Sequence, residues 1–409
     1  MIPRAPKGTD DILPPESERW RRLLREFDDI AERFGYGLVI TPVFEATELF
    51  GRGVGEETEV VEKQMYTFED RGGRSVTLRP EATASVIRAY LQSGTRGVFK
   101  GAYAGPMFRY EQPQAGRRRQ FHQVGVEYIG EASPDADVEV IEVGYRLLEV
   151  LGIGDAEVLL NSLGDPEDRV EYRRLLAAYL DERSGDLSPD ARRRVAGNPL
   201  RVLDSKVDSA VVADAPVPGE HLSPAAQEHI SAVRSGLDAI GIPHREAPRL
   251  VRGLDYYNRT VFEYESASYG AAQSALGGGG RYDPLAAMLG GPEVPAVGLA
   301  MGVDRIVLAM PVSEASAVLD VFVVTADPAR RATALALVRR LRGDGVSADL
   351  DLGHKSLKSQ FRTADRRRAA AVVVVGEEWD AGRVTVKDLK SGAESSVAAQ
   401  EVASWIRGH

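Results

Sequence analysis

The chain has 409 residues, enough for two or three domains, and its 43% hydrophobic and 27% charged content is ordinary for a globular protein. A net charge of −10 argues against a nucleic-acid coat protein, though it leaves room for a local basic surface. With no cysteine, disulfides, thiolate metal sites and cysteine nucleophiles are excluded, and six scattered histidines make no zinc site.

The N-terminal stretch MIPRAPKGTDDILPPES has no apolar core, and the longest apolar run, Ala369 to Val375, is far shorter than a membrane span. A cytoplasmic location and no membrane partner are therefore expected. Residues 1–15 are rich in proline and glycine and read as extended. From Ser17, Trp20, Leu23, Leu24, Phe27, Ile30, Ala31 and Phe34 follow helical spacing, and Gly35 stops the helix. Tyr36 to Leu49 reads as a strand broken by Pro42, which suits an edge or an interface. This helix and strand fit a subunit interface and packing within one chain equally well. Residues 50–75 are loop-rich and acidic, with Gly51, Gly53 and Gly55, and suit a mobile lid. A short strand from Ser75 to Leu78 leads through Arg79-Pro80-Glu81-Ala82-Thr83 into a helix reaching Tyr90. Glu81 and Thr83 there suit ligand contacts, although a helix cap is the plainer reading.

Tyr103 to Glu127 reads as strand, basic loop, strand. Arg109 and Glu111 share one parity. On the return strand Phe121, Gln123, Gly125 and Glu127 alternate with Val124, Val126 and Tyr128. A half-buried strand would send the valines to the core and present Gln123 and Glu127 to something polar. The loop from Gln112 to Arg119 carries Arg117, Arg118 and Arg119, either as a solvated tip or as a polyanion-binding hairpin.

Asp135 to Leu151 has the spacing of a core helix, and Val158 to Leu163 is strand-like. Residues 166–241 turn to arginine-rich helical periods and read as a helical insertion between strands of the main sheet. Tyr256 to Tyr264 is strongly β-prone. Leu276 to Tyr282 holds four consecutive glycines, so the backbone there approaches something closely or turns sharply; neither a Walker loop nor a GxGxxG fingerprint is present. Pro295 to Met310 reads as strand, a turn at Gly302, then helix. Arg305 falls early in that helix, where a cation is disfavoured unless an anion is bound. Beyond it, strands Val321–Ala326, Ser347–Leu352, Ala370–Gly376 and Val384–Lys387 alternate with helices Ala329–Leu341, Ser356–Arg368 and Glu401–Arg407, the pattern of a small α/β domain. On the helix from Ser356, Leu357, Phe361 and Ala364 form an apolar stripe beside Lys355, Lys358, Arg362 and Arg366. Such a face is either solvated or a nucleic-acid footprint.

Taken together these stretches resemble the histidyl-tRNA synthetases, a family of class II aminoacyl-tRNA synthetases, over essentially the whole length. Ser17 to Leu49 looks like the class II dimerisation motif, GPMFRYEQPQAGRRRQFHQVGVE like motif 2, and PAVGLAMGVDRIVLAM like motif 3. LVRGLDYYNRTVFEY and ALGGGGRYD look like the two histidine signatures, and DLGHKSLKSQFRTADRRRA is similar to the family's anticodon-binding domain.

The resemblance implies an α+β catalytic domain with a mainly antiparallel sheet flanked by helices, formed by residues 1–165 and 242–315. A helical insertion over 166–241 and an α/β anticodon-binding domain over 319–409 complete the chain. It implies a homodimer that joins L-histidine to tRNA(His) through a histidyl-adenylate, using ATP with Mg2+. Arg109, Gln123 and Arg252 are the implied catalytic residues. Glu81, Thr83, Gln123, Glu127, Arg252, Tyr256, Tyr257 and Tyr282 would bind histidine. Arg109, Glu111, Arg117, Arg119 and Arg305 would bind ATP. Gln112, Gln114, Arg118, Lys358 and Arg362 would contact tRNA. No dedicated protein metal cage is visible, so no residue is assigned to a metal. Gln112 departs from the basic residue found there in many bacterial relatives. The alternative is a synthetase paralogue that regulates the first enzyme of histidine biosynthesis; such proteins usually lack the anticodon-binding domain.

Overall fold

The computed structural model describes residues 2–408 apart from 56, 57, 59, 113–115, 198, 204, 206, 252, 253, 255, 268–274, 312–318, 326 and 354, and all of their side chains but those of 54, 62, 196 and 201. The chain divides into two compact units, Met1–Pro311 and Val312–His409.

In the first unit, helix α1 (Glu16–Arg33) buries Trp20, Leu23, Phe27 and Ile30 on the stripe read from the sequence. The expected strand over 36–49 is instead two short strands, β1 (Gly37–Leu38) and β2 (Phe44–Ala46), followed by helix α2 (Thr47–Val54). Pro42 lies between the strands, where no ladder hydrogen bond is needed. The expected loop over 50–75 is largely ordered into elements. It holds the end of α2, a π-helical turn over Val60–Gln64, and strands β3 (Tyr66–Glu69) and β4 (Ser75–Leu78), which form a three-stranded sheet in the order β2-β4-β3. Gly53 serves close packing there. A Cβ on it would lie 3.3 Å from Leu285 and 3.4 Å from Ala84, so the helix rests against its neighbours at that point.

The chain continues through α3 (Thr83–Ser93), β5 (Phe99–Phe108), β6 (Gln120–Ile129), α4 (Pro134–Val150), β7 (Ala156–Ser162), α5 (Pro166–Glu182), α6 (Pro189–Gly197), α7 (Ser209–Val212) and α8 (Pro224–Ile240). It then forms β8 (His244–Glu246), β9 (Asn258–Ser266), β10 (Ala275–Arg281), α9 (Leu285–Met288), β11 (Ala296–Gly302) and α10 (Val303–Ala309). Eight strands make the main sheet in the order β1-β5-β6-β11-β10-β9-β7-β8. β1 runs parallel to β5 and β8 parallel to β7; the pairs between them are antiparallel.

The glycine run is strand β10 in the middle of this sheet. A Cβ on Gly279 would lie 1.9 Å from the Gly298 carbonyl oxygen on β11, so close approach, not a turn, explains the glycines. One face of the sheet carries Val124 and Val126 into a core shared with α1, α4, α8 and α10. The other face packs α3 and α9 around Tyr103, Met107, Tyr256, Tyr257 and Tyr282. Within the arginine-rich stretch, α5, α6 and α7 share a core of their own, built on Tyr172, Leu176, Leu180, Val195 and Val212. Helix α8 instead lays Ile230, Val233 and Leu237 on the main sheet. The stretch 166–241 is therefore not one packing unit.

The second unit contains β12 (Leu319–Val324), α11 (Arg331–Gly343), β13 (Ala348–Leu350), α12 (Leu357–Arg366), β14 (Ala369–Val374), β15 (Arg383–Asp388), β16 (Glu394–Ala398) and α13 (Val402–Arg407). Its sheet has the order β13-β12-β14-β15-β16, with β12 parallel to both neighbours and the rest antiparallel. Strand β16 is absent from the sequence reading because its stretch, ESSVA, buries only Val397. Among the described residues, no helix is long and apolar enough to cross a membrane.

Candidate active site

The second face of the main sheet opens into a cavity of about 940 Å³. Its position follows from the alternation on β6. Val124 and Val126 go to the helical core, so Phe121 and Gln123 face the other way, onto the cavity wall. Glu127 shares that face but lies beneath the wall, 1% exposed. Thr83 Oγ1 donates to its Oε1 at 2.7 Å, and the Tyr282 hydroxyl donates to its Oε2. A Cβ on Gly298 would collide with that same Oε2, so the glycine on β11 makes the room for the carboxyl.

Glu81 sits at the start of α3. Its Oε2 accepts from Thr83 N at 2.6 Å and its Oε1 from Ala84 N at 3.0 Å. The capping reading therefore describes its bonds, and the same carboxylate also lines the cavity. Burial raises the Glu81 carboxyl above the ordinary range, opposed by those backbone donors and by Arg109. Burial pushes Glu127 up to about 8, against the hydrogen bonds from Tyr282 and Thr83. Tyr103, Tyr256 and Tyr282 are driven up by the same desolvation. This end of the cavity is thus a buried, acceptor-rich pocket walled by phenols. Tyr256 lies 4.6 Å from Tyr257 and 5.6 Å from Tyr282 between ring centroids.

The other end is cationic. Strand β5 stops at Phe108, so Arg109 and Glu111 lie past its end and strand parity does not place them. Arg109 is held instead by its Nε donating to the Pro80 carbonyl at 2.9 Å and by stacking 5.3 Å over the Phe121 ring. Arg305, in the first turn of α10, donates from Nη1 to the Ala275 carbonyl at 2.8 Å and from Nε to Gly116 at 3.3 Å. Both line the cavity with Glu111, Gln112, Arg117 and Arg118. Arg119 does not. Its guanidinium lies 3.8 Å over the Tyr110 ring and its Nε donates to the Glu111 carbonyl at 3.2 Å. Of three adjacent arginines, Arg118 turns inward, 3.0 Å from Asp304 Oδ1 and 3.1 Å from Asp10 Oδ2.

Arg252 and Gln114 lie outside the described residues. Lys358 and Arg362 belong to the second unit and are exposed on α12, whose Leu357 and Phe361 pack on its core. The cavity wall also includes residues that the sequence reading passed over. Tyr103 shares the parity of Met107 on β5, and Glu263 is set among Val261, Phe262 and Tyr264 on β9. Period-two alternation was the available signal for both. Among the described residues, no cluster of three or more His, Cys, Asp or Glu side chains could hold a metal ion.

A largely antiparallel sheet that carries cationic groups from a hairpin and a later helix to one cavity has the fold of a class II aminoacyl-tRNA synthetase catalytic domain. The model of the histidyl-tRNA synthetase family matches residues 8–306, and that of the anticodon binding domain matches residues 320–409. A histidine–tRNA ligase of Desulforudis audaxviator is 46% identical over 417 residues, covering 100% of this chain and 99% of that protein. One of Halothermothrix orenii is 44% identical over 410 residues, covering 97% of each. The crystal structure of apo S. aureus histidyl-tRNA synthetase superposes with a TM-score of 0.79 at 32% identity, covering 99% of this chain and 100% of that one. The chain belongs to the histidyl-tRNA synthetase family.

Proposed function

We propose that this chain joins L-histidine to tRNA(His), using ATP to form a histidyl-adenylate. The observation that carries this reading is the polarity of one cavity, with a buried acceptor pocket at one end and arginines at the other. Adenylation brings an amino-acid carboxylate against the α-phosphate of ATP, so its main demands are charge neutralisation and in-line positioning. Arg109, Arg117 and Arg305 meet the phosphate demand, since a guanidinium stays charged and grips oxyanions bidentately. Glu81, Thr83 and Gln123 suit the amino end of the substrate. Glu127 and Tyr257 suit its imidazole, with Tyr256 and Tyr282 closing the pocket. Arg252 would hold the carboxylate as it meets the phosphate.

Magnesium would enter with ATP. Glu111 and Glu263 are carboxylates on the cavity wall able to hold it, and with so few protein oxygens it would keep much of its shell from phosphate and water. Gln112 and the exposed Lys358 and Arg362 are assigned to tRNA. A homodimer belongs to the same reading, and it is supported by the exposed Leu38, Ile40 and Phe44 around β1 and β2. A cytoplasmic location belongs to the same reading, and the use of ATP and tRNA supports it. The regulatory alternative is not favoured, because the C-terminal α/β unit and the glycine-rich strand leading to Tyr282 are both present.

Histidine-dependent exchange of pyrophosphate into ATP, followed by charging of tRNA, tests the reading. Exchange is expected with histidine alone among the amino acids. No exchange with histidine, or equal exchange with another amino acid, would overturn it.

A further inference from the structure

The N-terminal segment before α1 carries contacts that the reaction chemistry above leaves unused. Residues Pro6 to Thr9 form a turn, with Thr9 N donating to the Pro6 carbonyl at 3.0 Å and Thr9 Oγ1 donating to it at 2.8 Å. Gly8 occupies this turn with φ +84°, a conformation other residues resist. Its carbonyl accepts from Arg119 N at 2.7 Å, and a Cβ on it would lie 2.7 Å from Arg119 Cγ. Glycine is required there twice, for the turn and for the approach. Two residues on, Asp10 pairs with Arg118 at 3.1 Å.

Arg118 and Arg119 close the basic loop between β5 and β6. The Arg119 carbonyl accepts from Arg109 N at 3.0 Å. Arg118 reaches on to Asp304, whose Oδ2 accepts from His122 N at 2.9 Å and which immediately precedes Arg305. The segment therefore touches the base of the loop at the point where the backbones carrying Arg109 and Arg305 converge. Among the described residues, its hydrogen bond and its ion pair to the loop go to Arg119 and Arg118, at the cationic end of the cavity.

We propose that Gly8 and Asp10 are positioning residues for the nucleotide: the N-terminal turn clamps the root of the basic loop and thereby sets the two arginines that face the ATP phosphates. Arg118 becomes part of this clamp, bridging Asp10 and Asp304, instead of a contact to tRNA. The inference rests on the adenylation reading above.

The test is histidine-dependent pyrophosphate exchange without tRNA, with thermal melting recorded for each variant. Gly8→Ala is expected to raise KM for ATP about tenfold, with KM for histidine within about twofold of the parent. Asp10→Ala, which disrupts a mostly exposed ion pair, should raise KM for ATP about three- to fivefold at unchanged melting temperature, and Asp10→Glu should restore it. The Asp10→Ala effect should vanish in an Arg118→Ala background, because the two act through one contact. An unchanged KM for ATP in Asp10→Ala, a parallel rise in both KM values, or effects that add across the pair would overturn the clamp. Loss of histidine-dependent exchange in the parent would instead overturn the adenylation reading, so the two failures are distinct.

Discussion

Glu127 shows how one residue's surroundings set its chemistry. Its carboxyl is moved by burial from 4.5 to about 8. Between those values the folded chain keeps a proton that the unfolded chain has released, so this group makes stability fall as pH rises from about 4.5 to about 8. Glu127→Gln removes that dependence and retains an acceptor for Thr83. The variant's melting temperature relative to the parent's should rise from pH 5 to pH 8 and then level, as read by scanning calorimetry. Histidine-dependent exchange should fall in the same variant. Gln123 and Glu127 were legible as one polar face because a strand alternates strictly. Arg117, Arg118 and Arg119 were legible only as a basic loop. Which of them turns inward depends on Asp304, Asp10 and Tyr110, and no local period encodes those partners.

At the scale of elements, two devices hold the sheet in the shape the cavity needs. The first is the glycine strand β10. Gly279→Ala would set a Cβ against a backbone oxygen that cannot rotate away, and should destabilise the fold by about 1–3 kcal/mol in urea unfolding at an unchanged m-value. The second is the buried pair of Arg281 on β10 and Asp137 on α4, both 0% exposed in their side chains. His229 on α8 lies 3.3 Å from the same carboxylate, and Arg281 Nη1 donates to Asp283 at 3.3 Å. This network ties two helices behind the sheet to the end of strand β10, next to Tyr282. Asp137→Asn leaves a buried guanidinium short of a countercharge, and should cost about 3–5 kcal/mol by the same measurement. The network could not be read beforehand, since Arg281 and Asp137 are 144 residues apart along the chain.

At the scale of the whole molecule, each unit has a core drawn from its own residues, and every group on the cavity wall belongs to the first. A chain ending at Pro311 should keep histidine-dependent exchange within about tenfold of the parent while losing most tRNA charging, because α12 with Lys358 and Arg362 is removed. Comparing the two assays on one preparation checks this. Exchange lost together with charging would show that the first unit does not sustain adenylation unaided.

The fold class was implied by the family resemblance; the main helices, the hairpin and the C-terminal α/β pattern were determined by the sequence itself. Each depends on a short-range period or on a residue type with one physical use. Tertiary structure alone decided the rest. It ordered much of 50–75 into a helix end, a π-helical turn and two strands, with Phe50 and Val60 entering a small core. It moved α8 from the insertion to the back of the sheet, sank Glu127 beneath the cavity wall, and brought Gly8 and Asp10 to the root of the basic loop. These outcomes depend on partners distant in sequence, whose proximity exists only once the sheet has formed.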